Sequence, residues 1–153
     1  MTLDVLFAIT SGIAALGWLL LAVAIFVPPS KVWRDHLLLI AGRWFPLALC
    51  FAYVAALAIS WEGTSDVAKI FSLGGVVELL SAPGRALAGW IHFETFDLLI
   101  GRWIVDDACK RRINSLLLLG CLVLTARYAP LGLLVYLGLR AVRYRERFHG
   151  ISR

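Results

Sequence analysis

The sequence predicts an all-α integral membrane protein: a bundle of four transmembrane helices, with an interfacial amphipathic segment between helices 2 and 3. Three observations predict it. Of the 153 residues, 61% are hydrophobic and only 16% charged, against about 25% charged in ordinary soluble domains. The mean hydropathy is +0.84. The apolar residues fall into four long runs, at 5–27, 37–61, 86–105 and 113–142, parted by polar stretches. A soluble chain of this size would need more polar surface to cover its core. Residues 1–153 are therefore read as a single integral membrane domain, multi-pass in a plasma or inner membrane.

The first run, Val5 to Val27, can cross about 30 Å of hydrocarbon at about 1.5 Å per residue. It is longer than a signal-peptide core, is led by Asp4 rather than a basic residue, and is followed by no small-residue cleavage site. It reads as a retained helix. Gly12 and Gly17 offer a neighbouring helix close approach, and Pro28-Pro29 ends the run. The second run, Leu37 to Trp61, is interrupted in its first third by Arg43 and Pro46. Arg43 is near enough to the end to snorkel, and Trp44 and Trp61 suit the membrane interfaces.

The stretch Glu62 to Gly84 mixes Glu62, Asp66, Lys69 and Glu78 with apolar residues and carries Gly74-Gly75 at its middle. It reads as an amphipathic helix in the interface, broken at the glycines. The third run holds His92, Glu94 and Asp97. The fourth, Ile113 to Val142, is too short for two spans, so Pro130 is expected to kink one long helix. A basic tail, 143–153, follows.

Charge patterning leaves orientation open. The net charge is +5, with arginines at the ends of apolar runs and in the tail. That placement suits lipid headgroups and gives no recognition motif for nucleic acid, which is not an expected partner. With four spans, Lys31, Arg34, Lys110, Arg111 and Arg112 fall on one face and Arg143, Arg145, Arg147 and Arg153 on the other. The positive-inside rule then pulls both ways, the first span slightly favouring both termini outside.

Soluble-enzyme signatures are absent: no G-x-S-x-G, P-loop, H-E-x-x-H or dinucleotide fingerprint occurs. The three cysteines form no C-x-x-C, and no metal site is expected. What remains is a set of ionisable residues inside apolar spans, each costing several kcal/mol at the bilayer centre unless paired. Glu94 and Asp97 are three residues apart and share a helix face with Gly101; Trp90 lies one turn before Glu94. His92 is about 140° round from Asp97. Asp97 and Arg127 each sit about a dozen residues into antiparallel spans, so they are expected to pair near mid-membrane, with Glu94 sharing the guanidinium. Such a pair can serve packing and helix register alone, ligand orientation or catalysis, or a proton path. His92, Glu94, Asp97 and Arg127 are the candidate catalytic residues, and Trp90, Phe93, Phe96 and Arg102 the candidate ligand contacts. No cofactor is predicted. His36 and His92 lie toward opposite membrane faces, roughly 20 Å apart by helix rise, too far to share a haem iron. Single-histidine haem through His92 is the minor arrangement left open.

Trp90-Ile91-His92, Asp97-Leu98 and Arg102 resemble the W-I-H-x-x-x-x-D-L-x-x-x-R pattern of the abscisic-acid-deficient-type membrane proteins, the family of a plant protein needed for neoxanthin synthesis. Pro130-Leu131-Gly132 resembles that family's P-x-G in its last helix, and Trp61 its tryptophan ending the second span. Glu94 and Arg127 add charges outside the pattern. The resemblance implies a small helical membrane protein linked, in plants, to converting violaxanthin to neoxanthin, an isomerisation in which an epoxide opens and an allene forms. It implies an acid–base role for His92 and Asp97 and an apolar groove lined by Trp90, Phe93 and Phe96. Two functions are expected to compete. One is a carotenoid- or apolar-ligand-handling, isomerase-like protein. The other is a non-catalytic accessory subunit packed in a larger membrane complex, with the lipid bilayer as partner in either case.

Overall fold

The computed structural model describes the backbone over residues 2–61 and 69–151, and the side chains over 2–61 and 69–142. Every element among them is helical. In chain order these are α1 (Leu3–Ala24), α2 (Val32–Leu39), a π-helical turn (Ile40–Trp44), α3 (Phe45–Ser60), α4 (Leu73–Ser81), α5 (Pro83–Arg111), α6 (Ser115–Arg127) and α7 (Ala129–Ile151). Glu62 and Asp66, expected in the amphipathic segment, lie outside the described residues.

α1 and the rod Val32–Ser60 are long and apolar enough to cross a membrane. The second expected span therefore begins earlier than Leu37 and runs through Arg43 and Pro46 without a break. Proline has no N–H to give the carbonyl four residues back, and the helix absorbs this by widening: Phe45 N–H bonds to the Ile40 carbonyl, five residues away. Gly74-Gly75 does not break α4 but begins it, Ser72 Oγ accepting from Gly75 N–H at 3.1 Å.

α5 is the central helix, and α1, α3, α4, α6 and α7 all pack on it. Its buried residues, Arg85, Leu87, Ala88, Ile91, Thr95, Leu98, Gly101, Ile104, Val105 and Ala108, follow the helical repeat, as the inward stripe of a helix must. Pro83 opens it, and Arg112, in the left-handed conformation at φ 54°, closes it. On α1, Gly17 lies where an added Cβ would come 2.8 Å from Leu98, so the expected close approach is made there. Gly12 has nothing within 4 Å.

The fourth expected span is the main correction. It is not one kinked helix but two helices folded back on each other. Tyr128 leaves the helical conformation (φ −144°, ψ 71°), and Pro130 suits the first turn of the helix that follows. The Tyr136 hydroxyl then donates to Asp107 Oδ2 at 2.6 Å. Asp107 lies one turn before the end of α5, where α6 departs. A straight helix from Ser115 would carry Tyr136 roughly 30 Å away, so α7 must return toward its starting end. Gly132 makes the crossing: an added Cβ there would lie 2.3 Å from Thr125 N. Trp103 stacks edge-on against Tyr136 at 5.7 Å, and Arg140 approaches both Asp107 (3.6 Å) and the Trp103 ring (5.9 Å).

Arg111 Nε donates to the same carboxylate oxygen at 2.7 Å. One carboxylate thus gathers Arg111, Tyr136 and Arg140 where α5 ends and α7 returns. The hairpin also moves the tail. Lys31, Arg34, Lys110, Arg111, Arg112 and the exit of α7 lie at one end of the molecule, not at two. The expected split of basic charge between opposite faces is thereby overturned.

Candidate functional site

α5 carries the candidate residues on two different faces. His92 faces α3. Its ring packs between Tyr53 (centroids 5.9 Å), Phe93 (5.9 Å) and Phe96 (4.7 Å). Beside it opens a cavity of about 310 Å³, walled by Tyr53, Leu57 and Trp61 of the α3 rod, by Leu79 and Leu80 of α4, and by Arg85, Ala88, Gly89 and His92 of α5. The lining is almost wholly apolar; the side chains that can carry a proton are Tyr53, His92 and the buried Arg85.

The face continues. Residues 85, 88, 89, 92, 96, 99, 100 and 103 recur at helical spacing, so they form one stripe along α5. Beyond Phe96 a second hollow, about 360 Å³, lies between Phe96, Leu99, Ile100 and Trp103 on one side and Leu133 and Leu137 of α7 on the other. From Arg85 to Trp103 the stripe is about 27 Å long at the helical rise.

Glu94 and Trp90 look the other way, toward α1. Trp90 Nε1 donates to Glu94 Oε1 at 2.7 Å and approaches Ser11 Oγ at 3.0 Å; Phe7 packs on the indole at 6.1 Å. Glu94 Oε2 is buried with no hydrogen-bond partner among the described residues. Trp90 therefore does not join Phe93 and Phe96 in one groove, as expected, and Glu94 does not reach the cavity. Asp97 is half-buried between the two faces, within electrostatic range of both His92 and Glu94.

Among the described residues Asp97 and Arg127 form no ion pair. Arg127 ends α6 at the tip of the hairpin, exposed, because α6 stops short and α7 turns back. The predicted pairing rested on equal depth in antiparallel helices, which does not fix where either side chain points, and it is not made. Arg102 pairs with Asp106 one turn on, and its aliphatic stem lies over Gly42. No group of three or more metal-binding side chains occurs among the described residues.

The ABA4-like family (ABA DEFICIENT 4-like) matches the chain over residues 5–136. The chain belongs to that family. The resemblance drawn from Trp90 to Arg102 and from Pro130 to Gly132 is thereby borne out, and membership fits a membrane protein linked to carotenoid metabolism. No curated protein and no solved structure matches.

Within this ABA4-like chain the structure gives the P-x-G a physical reason. Pro130 is at home in the first turn of α7, and only the missing side chain of Gly132 admits the α6 backbone at Thr125. Tyr53, Arg85, Asp107 and Tyr136 were missed by sequence reasoning. A tyrosine in an apolar run resembles ordinary lipid-facing filler, and Asp107 follows the third run where acids are expected at the surface. The one available signal was the Asp106-Asp107 doublet set against the arginines at 102, 111 and 140.

Proposed function

We propose that this ABA4-like protein is embedded in a membrane, with α1, the rod Val32–Ser60 and α5 crossing and α6–α7 entering as a re-entrant hairpin. Large apolar side chains exposed on α1, α3, α5, α6 and α7 support this, among them Leu19, Phe51, Phe93, Val123 and Leu134. Lys31, Arg34, Lys110, Arg111, Arg112 and Arg140 outnumber Lys69 and Arg85 at the other end, so the more basic end lies on the cytoplasmic side and the N-terminus opposite. α4 lies at the opposite interface: none of its residues is buried, and its first residue Leu73 and the preceding Phe71 are more than 80% exposed.

Within that frame the protein handles a carotenoid-like isoprenoid, with one end group in the cavity at His92 and the rod-shaped chain along the outer stripe of α5. The observation that carries this is the coincidence of an apolar cavity, two proton-carrying rings at its wall, and a stripe nearly as long as the hydrocarbon core is thick, about 30 Å. The chemistry such a site offers is isomerisation by acid and base. The Tyr53 hydroxyl gives a proton to an oxygen as its bond to carbon breaks, and a ring nitrogen of His92 takes a proton from carbon. The electron pair left by the C–H bond forms the new double bond, so atoms and charge balance without a co-substrate. Asp97 acts through its field on His92 rather than on the ligand. Glu94 and Arg127 fall outside the cavity and are not needed.

The test is the full-length protein in lipid nanodiscs, given a carotenoid diol bearing an epoxide on its end ring. Binding is followed by absorption and products by chromatography. His92→Phe keeps the aromatic packing and removes the proton carrier. Binding is expected to stay within about twofold while conversion falls by roughly 10²–10⁴. Failure of the wild-type protein to bind, or undiminished conversion by His92→Phe, would overturn the proposal.

A further inference from the structure

A second cavity, about 210 Å³, opens at the basic end, where α1 ends, α2 begins and α5 passes into α6. Arg34 and Arg112 line it with Pro29, Cys109 and Ser115, over an apolar floor that includes Val105 and Leu118. Arg34 is only 7% exposed. Its Nε donates to the Ala24 carbonyl at 3.1 Å, which caps the C-terminus of α1. Capping uses one of the five N–H donors of a guanidinium. Among the described residues the other four find no acceptor, and Arg34 makes no ion pair.

The neighbouring acids are engaged elsewhere. Asp106 holds Arg102, and Asp107 holds Arg111, Arg140 and Tyr136. Asp35, beside Arg34 on α2, is exposed. Arg34 lines the cavity and its terminal nitrogens are not sealed off from it, so they present free donors there, and Arg112 brings a second cation to the same hollow. An anion with several acceptor oxygens meets both, and a phosphate matches a guanidinium fork. The apolar floor selects the bearer, since a headgroup phosphate arrives with an acyl chain attached.

We infer that this cavity binds the phosphate of an anionic phospholipid, with Arg34 as the buried counter-charge, Arg112 at the rim, and Val105 and Leu118 against the first carbons of the lipid tail. The site is separate from the cavity at His92, roughly 20–30 Å away along α5 by helix rise, and does not depend on the function proposed for it.

The test uses the full-length protein in neutral detergent, titrated with phosphatidylglycerol, with phosphatidylcholine and with inorganic phosphate. Bound lipid is read by native mass spectrometry. Phosphatidylglycerol is expected to bind saturably, roughly tenfold tighter than phosphatidylcholine. Arg34→Gln should abolish the preference and Arg34→Lys retain part of it. Arg112→Gln, at an exposed position that does not endanger folding, should weaken it about threefold, so the inference stays testable if Arg34→Gln does not fold. Displacement of the lipid by millimolar inorganic phosphate would support recognition of the phosphate group itself. Equal binding of the two lipids, or an unchanged preference in Arg34→Gln or Arg112→Gln, would overturn the inference. Binding of inorganic phosphate without any lipid preference would overturn the lipid assignment.

Discussion

Replacing Tyr136 by Phe removes one oxygen and tests whether α7 returns to the end of α5. Tyr136 is fully buried, and its hydroxyl donates at 2.6 Å to an Asp107 carboxylate whose side chain is 15% exposed. A hydrogen bond to a charged group is worth about 1.5–3 kcal/mol. Asp107 keeps Arg111 at 2.7 Å and Arg140 at 3.6 Å, so it is not orphaned and the lower figure applies, about 1.5 kcal/mol. For a chain of this length that corresponds to a fall in Tm of about 3–6 °C. The assay is thermal unfolding in detergent, run as a double-mutant cycle with Asp107→Asn; a coupling of about 1–2 kcal/mol is expected for groups in contact. An unchanged Tm in Tyr136→Phe together with zero coupling would mean that α7 lies elsewhere, and the hairpin would have to be abandoned.

Three further outcomes follow from the same contacts. Gly132→Val puts a methine carbon against Thr125 N and should cost at least the 1–3 kcal/mol usual for overpacking, read as a lower Tm or lost folded yield. Gly89→Phe projects a ring into the cavity beside Leu80 and should abolish ligand binding by titration while leaving the elution volume on sizing that of the wild-type protein. Glu94→Gln should leave binding and conversion within about twofold and stability within about 1 kcal/mol, because Trp90 Nε1 still finds an amide oxygen; a large loss of conversion would return Glu94 to the site.

Much of this was legible in the sequence. Apolar runs and their proline and glycine punctuation placed α1, the α3 rod and α5 within a few residues, since length and hydropathy are local properties. His92 was legible as a candidate because a titratable ring in an apolar run is costly wherever the helix points. Its neighbours were not, because rotation about α5 depends on which helix packs where. Helix geometry already set Trp90 and Glu94 on one face and His92 well round from it, but not that the first face meets α1 and the second α3. The hairpin was least legible. Pro130 announces a helix start and a mid-helix kink equally well, and only the long-range bond from Tyr136 to Asp107 separates them. The Asp97–Arg127 pair failed for a different reason: counting residues fixes the depth of a side chain but not the direction it points, and Arg127 is exposed at the end of α6.

The cavity beside His92 can be tested without reference to catalysis. A photoreactive benzoylphenylalanine is placed at Leu57, on the cavity wall, or at Leu19, exposed on α1, in the full-length protein loaded with a carotenoid diol and irradiated. Intact mass should gain the carotenoid at position 57 and not at 19. Equal labelling at the two positions, or none at 57, would contradict a ligand seated against α3 and α5.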